Sequence, residues 1–290
     1  MAKEGYFELV LFSLLAGFVG VFVKLVQGMD VYSILFFRAI IASVFILLVI
    51  AFRGKLNELR MISPLQTILV GLFQGLSIFL YFSAVLNTSV SNAIMLVYTA
   101  PIFSILIARF YLKERIEKEA VIGVIITLIG IACILDPRTF SLNSRETLGN
   151  LMGLCSGLFY AAMALTAKPI MKRKSGYYTA FWQYAIISLM FVFFVKSNQA
   201  AALMANWWKL LLIGVVCTGI AFILFMEGVR KVKAQRIFIV TALEPLTGTA
   251  AALIILGEIP SLMTLIGAVL ILYGVYRITL RKGSPLSKAR

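Results

Sequence analysis

The sequence predicts an all-α, polytopic membrane protein of ten transmembrane helices arranged as two inverted five-helix repeats. Three observations point there. The 290-residue chain is 61% hydrophobic and 13% charged, outside the range of soluble domains. Nearly all of it divides into apolar runs of about 20 residues, the length that crosses a hydrocarbon core as a helix. It also repeats itself at a spacing of 144 residues.

The first five spans are expected at about 6–26, 31–51, 65–86, 91–111 and 119–135, and the second five at about 148–168, 177–195, 207–228, 236–256 and 260–279. The first run is too long for a signal-peptide core and lacks a small-residue cleavage site, so it is read as a retained span. Trp207 and Trp208 are expected to open the eighth span as interfacial anchors. Cys133, Cys155 and Cys217 lie inside apolar runs without metal-ligand spacing and read as small packing residues.

The repeat is clearest where residues 101–130 are set against 245–274. Pro101, Ala108, Leu112, Glu114, Ile122, Gly123, Leu128 and Gly130 fall on Pro245, Ala252, Leu256, Glu258, Ile266, Gly267, Leu272 and Gly274. Over the same stretch Arg109, Lys113, Arg115 and Lys118 face Leu253, Gly257, Ile259 and Leu262. Positive loops stay cytoplasmic, and an odd number of spans per half inserts the second half from the other side, so the swap of charge follows from inversion. Of the 27 Lys and Arg, 21 fall in the N-terminus, the even-numbered loops and the C-terminal tail, and five in the odd-numbered loops. Both termini are therefore expected in the cytoplasm, and the location expected is a prokaryotic inner membrane.

Several classes are disfavoured. The net charge of +15 is carried by loop clusters, which fits a lipid bilayer as partner rather than nucleic acid. Histidine is absent, and Asp30 and Asp136, the only aspartates, lie at span ends, so no metal site or acid–base cluster of an enzyme is visible. No cofactor is expected, and no nucleotide-binding loop is present to drive the protein with ATP.

The run Asn92-Ala-Ile-Met-Leu-Val-Tyr-Thr-Ala-Pro101, followed by Leu112-Lys-Glu-Arg115 and Gly123, is echoed by Glu244-Pro245, Leu256-Gly-Glu258 and Gly267. It resembles the EamA-type proteins of the drug/metabolite transporter superfamily over almost the whole chain. The resemblance implies repeats at 1–135 and 146–282 followed by a basic tail at 283–290, a central cavity, and transport of a small metabolite, often an amino acid. It does not name the solute.

The residues themselves suggest where that cavity is. Pro101 and Pro245 fall mid-span, where a missing backbone donor weakens the helix; each is either a hinge for alternating access or a static kink. Glu244 lies about 12 Å into its span at the helical rise. A carboxylate there is costly without a partner, so it binds a substrate ammonium, carries a proton, or is a protonated acid bonded to a neighbouring helix. Arg38, the basic residue placed firmly within a span, either forks onto a substrate carboxylate or makes a structural pair. Gln74, Ser77 and Tyr81 share one helical stripe; with Tyr98, Ser156, Tyr160 and Trp182 they are expected to wall the cavity. Together these residues suit a small amphiphilic or zwitterionic solute moved by alternating access. The alternatives are a carrier of phosphorylated or nucleotide-linked sugars, or a scaffold or enzyme of the membrane.

Overall fold

The computed structural model describes residues 2–100, 102–103, 106–107, 118–135, 144–171, 173–196, 199–231 and 240–279. Counting segments that run on through a kink or a wide turn as one, ten helices and no strand are found among them. These are α1 (Ala2–Gly17 continued by Val19–Leu25), α2 (Val31–Phe52), α3 (Pro64–Asn87), α4 (Val90–Val97), α5 (Lys118–Leu135), α6 (Arg145–Met171), α7 (Gly176–Phe191), α8 (Ala200–Leu211, Leu212–Ile220 and Ala221–Lys231), α9 (Leu243–Ala251 and Ala252–Leu256) and α10 (Leu262–Thr279). Six of them, α1, α2, α3, α6, α7 and α8, are long and apolar enough to cross a membrane, while α5, α9 and α10 supply the shorter apolar stretches Val121–Ile134, Leu243–Leu256 and Leu262–Arg277. The protein is a multi-pass membrane protein, whose backbone polar groups must be satisfied inside helices.

Local chemistry starts the helices. The Asp30 carboxylate accepts from the Ser33 N–H at 2.8 Å, Ser89 Oγ from the Asn92 N–H at 3.1 Å and Ser175 Oγ from the Tyr178 N–H at 3.3 Å, each capping an otherwise open first turn. One boundary differs from expectation: α8 begins at Ala200, not near 207, because Ala200-Ala-Ala-Leu203 is strongly helix-forming. Trp207 and Trp208 therefore lie two turns inside α8, still largely exposed.

Packing obeys the 144-residue relation. Helices α5 and α10 run antiparallel with backbones touching: a methyl group added at Gly130 would meet Gly267 O at 2.8 Å, and one at Gly274 would meet Gly123 O at 2.6 Å. The offset carries Gly123 onto Gly267 and Gly130 onto Gly274, so this contact maps onto itself. The packing of α2 on α7 does likewise, and α3 on α6, α4 on α6 and α3 on α7 map onto α8 on α1, α9 on α1 and α8 on α2. A pseudo-two-fold axis in the membrane plane accounts for all of these pairs. Small residues at the crossings allow the close approach that drives helix association in lipid.

Arg53, Lys55, Arg60, Lys174 and Lys231 gather at the end of the bundle where the chain begins, here called the basic face. At that face Glu58 accepts from Ser175 Oγ at 2.8 Å and sits 3.4 Å from Lys55 Nζ. The serine bond holds its carboxyl below the usual carboxylate range; burial opposes it, and Lys55 and Lys174 add to the lowering.

Candidate functional site

The site begins with two broken helices. Regular winding of α4 stops at Tyr98 and Thr99, and that of α9 at Ala242; Tyr98 and Ala242 are equivalent in the two repeats. In α9 the cause is Pro245, which has no N–H to give to Thr241 O four residues earlier. The freed carbonyl is used: the Tyr98 hydroxyl lies 2.5 Å from Thr241 O and 2.8 Å from Glu244 Oε2. Two glycines let α1 cover this break. A methyl group at Gly17 would meet Glu244 O at 3.0 Å and the side chain of Thr247 at 2.7 Å, while Gly248 approaches Gly17 O in turn.

Arg38 on α2 is 4% exposed and has no carboxylate within ion-pair distance among the described residues. Its Nε donates to Thr218 Oγ1 at 2.6 Å. Its guanidinium lies over the ring of Phe82 at 4.9 Å and near that of Tyr184 at 5.9 Å, which offsets part of the cost of a charge in this setting. Arg38, Tyr98 and Glu244 open onto one cavity of about 310 Å³, at the lower end of the range for small-molecule sites.

The structure brings Arg38, Gln74, Tyr81, Tyr98, Tyr160 and Glu244 together in the wall of that cavity. Gln74 is 2% exposed and its Oε1 has no protein partner. Tyr81 fits because of Gly20, where a methyl group would come within 2.9 Å of its hydroxyl. Ser77 and Ser156 fasten α3 to α6 reciprocally, Ser77 Oγ donating to Ser156 O at 3.0 Å and Ser156 Oγ to Ser77 O at 2.8 Å. The remaining wall is apolar, with Phe12, Phe222, Phe225, Met163, Met171 and Met226.

Trp182 is not brought to the cavity. Its indole N–H donates to Leu59 O at 3.1 Å and its ring packs beside Val70, Met163 and Tyr178. Inversion is the reason: the position that puts Arg38 in the cavity lies at the other depth of the membrane in the second repeat. Pro245 is buried in α9, and Pro101 lies outside the described residues. Sequence reasoning missed Thr218, Thr241 and Tyr184, and took Cys217, which lines the cavity, for packing alone. The signal available for Thr218 was its equivalence to Gln74.

The two ends of the cavity differ. Opposite the basic face, Lys24 Nζ bonds Glu258 Oε1 at 2.5 Å and Thr88 O at 2.8 Å, and Glu258 Oε2 accepts the Val90 N–H at the start of α4 at 2.9 Å. Thr88 Oγ1 to Asn150 Oδ1 and Thr264 Oγ1 to Asn92 Oδ1, both 2.9 Å, extend this tie between the repeats. Toward the basic face, the lining reaches Met171, the last residue of α6.

Two related helical halves around one central cavity that bears separated charges define a membrane carrier of a small molecule, not an enzyme. The chain belongs to the EamA-like transporter family, whose profile matches residues 3–136 and again 147–280, the same 144 residues apart. It is similar to an uncharacterized transporter of Archaeoglobus fulgidus, 31% identical over 94% of this chain and 95% of that one. It is also similar to the S-adenosylmethionine uptake transporter of Rickettsia bellii, at 26% over 89% and 86%, and to the pseudopaline exporter CntI of Pseudomonas aeruginosa, at 25% over 82% of each. A solved crystal structure aligns with a TM-score of 0.69 over 97% of this chain and 98% of its own at 19% identity, which shows a shared fold.

Proposed function

We propose that this transporter moves a small zwitterionic or amphiphilic metabolite, an amino acid or a related compound, by alternating access between its two repeats. The observation that carries this reading is the separation of Arg38 and Glu244 around one cavity, each without an ion-pair partner among the described residues. The unpaired buried charge of Arg38 is costly and a ligand carboxylate relieves it, while the ligand ammonium is met by Glu244 in its ionised form. The relatives named for S-adenosylmethionine and pseudopaline lend support as carriers of small metabolites. A phosphorylated solute has less support, since Arg38 is the one basic side chain in the lining among the described residues. A thermal-shift screen of purified protein against amino acids, amines, nucleosides and sugar phosphates tests the assignment. Stabilisation by amino acids that is lost in Arg38→Ala and Glu244→Ala is expected; equal stabilisation of all three proteins removes the site.

The Tyr98 hydroxyl gives Glu244 a second role. It has one hydrogen and two acceptors in reach, Thr241 O and Glu244 Oε2. Both contacts are satisfied when Glu244 holds a proton and donates it to the Tyr98 oxygen while Tyr98 donates to Thr241 O. An arriving ammonium favours the ionised carboxylate and displaces that proton, so substrate and proton alternate at one group. With the basic face in the cytoplasm, the Lys24–Glu258 tie closes the outer side, and the breaks before the repeat-equivalent prolines Pro101 and Pro245 are the hinges.

Loosening that tie is expected to expose the cavity outward. In a Cys133→Ser, Cys155→Ser background, Glu258→Gln and Lys24→Met should each raise labelling of Cys217 by a membrane-impermeant maleimide added outside several-fold, as loss of a half-buried charge pair shifts a conformational balance by about 1–2 kcal/mol. Unchanged labelling in both variants contradicts an outer closure at this pair.

A further inference from the structure

A threonine inside a helix ordinarily turns its hydroxyl back to the carbonyl four residues earlier. Thr127, Thr166 and Thr247 do so, bonding Gly123 O at 2.8 Å, Ala162 O at 2.9 Å and Leu243 O at 2.9 Å. Thr218 does not. It is fully buried in α8, and its Oγ1 instead accepts the Nε–H of Arg38 on α2 at 2.6 Å.

The backbone of α8 explains how Thr218 comes to face Arg38. Leu212–Ile220 is wound as a π-helix, a wide turn that frequently marks functional positions. Gly214 and Gly219 both rest on α2: a methyl group at Gly214 would meet the Ile41 side chain at 2.6 Å and Arg38 O at 3.2 Å, and one at Gly219 would meet the Phe45 ring at 2.7 Å. On a helix of 3.6 residues per turn, positions five apart point about 140° away from each other. The five-residue bonding pattern of the wide turn stacks them instead, so both glycines seat on the neighbouring helix and Thr218 between them meets the guanidinium.

We propose that Thr218 is a positioning residue that gives the cavity its selection for a carboxylate, an inference that rests on the assignment of Arg38 as the carboxylate site. The bond to Thr218 occupies Nε, and the rings of Phe82 and Tyr184 hold the guanidinium plane. What remains is the pair of Nη groups, a fork matched to two carboxylate oxygens. With no acceptor at position 218 the charge stays between the two rings, but the Nε–H no longer fixes the direction of the fork, which is presented only part of the time.

Thr218→Val keeps the shape of the side chain and removes the acceptor; Thr218→Ser keeps the acceptor. Purified wild-type protein and both variants are titrated with the L-amino acids by thermal shift, and with the carboxamide of each one that stabilises. The Arg38 Nε–H signal, assigned through its loss in Arg38→Lys, is followed by NMR of arginine-labelled protein. The preference for carboxylate over carboxamide is expected to fall about tenfold in Thr218→Val, as a paired contact becomes a single one, and to return in Thr218→Ser. The Nε–H signal is expected to shift and exchange faster in Thr218→Val alone. An unchanged preference in Thr218→Val, or an Nε–H signal identical to wild type, overturns the positioning role. If no L-amino acid stabilises the wild type, the substrate class fails and the selective role fails with it, while the Nε–H signal still decides whether Thr218 holds Arg38.

Discussion

Arg38→Ala lowers transport efficiency for a zwitterionic substrate by about thirtyfold to a few thousandfold, the equivalent of the roughly 2–5 kcal/mol that follows truncation of one partner of a buried, hydrogen-bonded charge pair. The empty protein keeps or raises its melting temperature under the same substitution. Among the described residues Arg38 has no ion-pair partner; a lone buried charge is retained at a cost to stability, which alanine removes. The two responses together separate a binding role from a structural one. Arg38→Lys does not restore transport, because an ammonium is a point charge without the planar fork and does not reach Thr218 through an Nε–H. Uptake kinetics in proteoliposomes, paired with thermal melts, check both halves. Wild-type kinetics in Arg38→Ala, or its loss of folding without ligand, contradict the assignment.

Glu244→Gln abolishes proton-driven accumulation while leaving exchange of substrate for substrate. The amide still meets the Tyr98 hydroxyl, which lies 2.8 Å from Glu244 Oε2, but it has no proton to release. Concentrative uptake is expected to fall at least about tenfold, the scale of one lost charge-assisted contact, and the dependence of flux on pH to flatten. Glu244→Ala also loses the acceptor for an ammonium, so exchange falls too. The measurement is uptake into liposomes with and without an imposed pH gradient. Gradient-driven accumulation that survives in Glu244→Gln contradicts proton coupling at this carboxylate and leaves facilitated exchange.

Membrane chemistry explains which parts of the protein were legible in the sequence. The helices were, because hydrocarbon admits only segments that satisfy their own backbone. Inversion was, because Gly123, Gly130, Gly267 and Gly274 persist as landmarks while the basic residues ahead of Gly123 have no basic counterparts ahead of Gly267; the same four glycines form the self-related contact of α5 with α10. Arg38 and Glu244 stood out because charge within a span demands a reason. Gln74, Tyr81, Tyr98 and Tyr160 followed from helical spacing and the cost of burying polar groups.

The misses have equally specific causes. Trp182, expected in the cavity wall, occupies the position of Arg38 in the other repeat, but an inverted repeat places these two equivalent residues at opposite depths, and the indole finds Leu59 O instead. Thr218 escaped because its angular position depends on the wide turn of Leu212–Ile220, whereas spacing arguments assume 3.6 residues per turn. Pro245 was read for the bond it removes; the value of the carbonyl it frees, Thr241 O, emerges only when Tyr98 arrives from the other repeat. Glu258 stands in the sequence only as a landmark of the repeat; its tie to Lys24 and to the first N–H of α4, which joins the two halves, needs the fold to bring those groups together.

The most direct test of the central claim, a single cavity that holds carboxylate and ammonium together, is counterflow in proteoliposomes loaded with an unlabelled mixture of L-amino acids and diluted into labelled ones. Labelled amino acid should accumulate in wild-type vesicles, and L-amino acids should compete while their carboxamides and deaminated acids do not. Vesicles that show no counterflow, or in which the deaminated acids compete as well as the amino acids, contradict a zwitterion site built from Arg38 and Glu244.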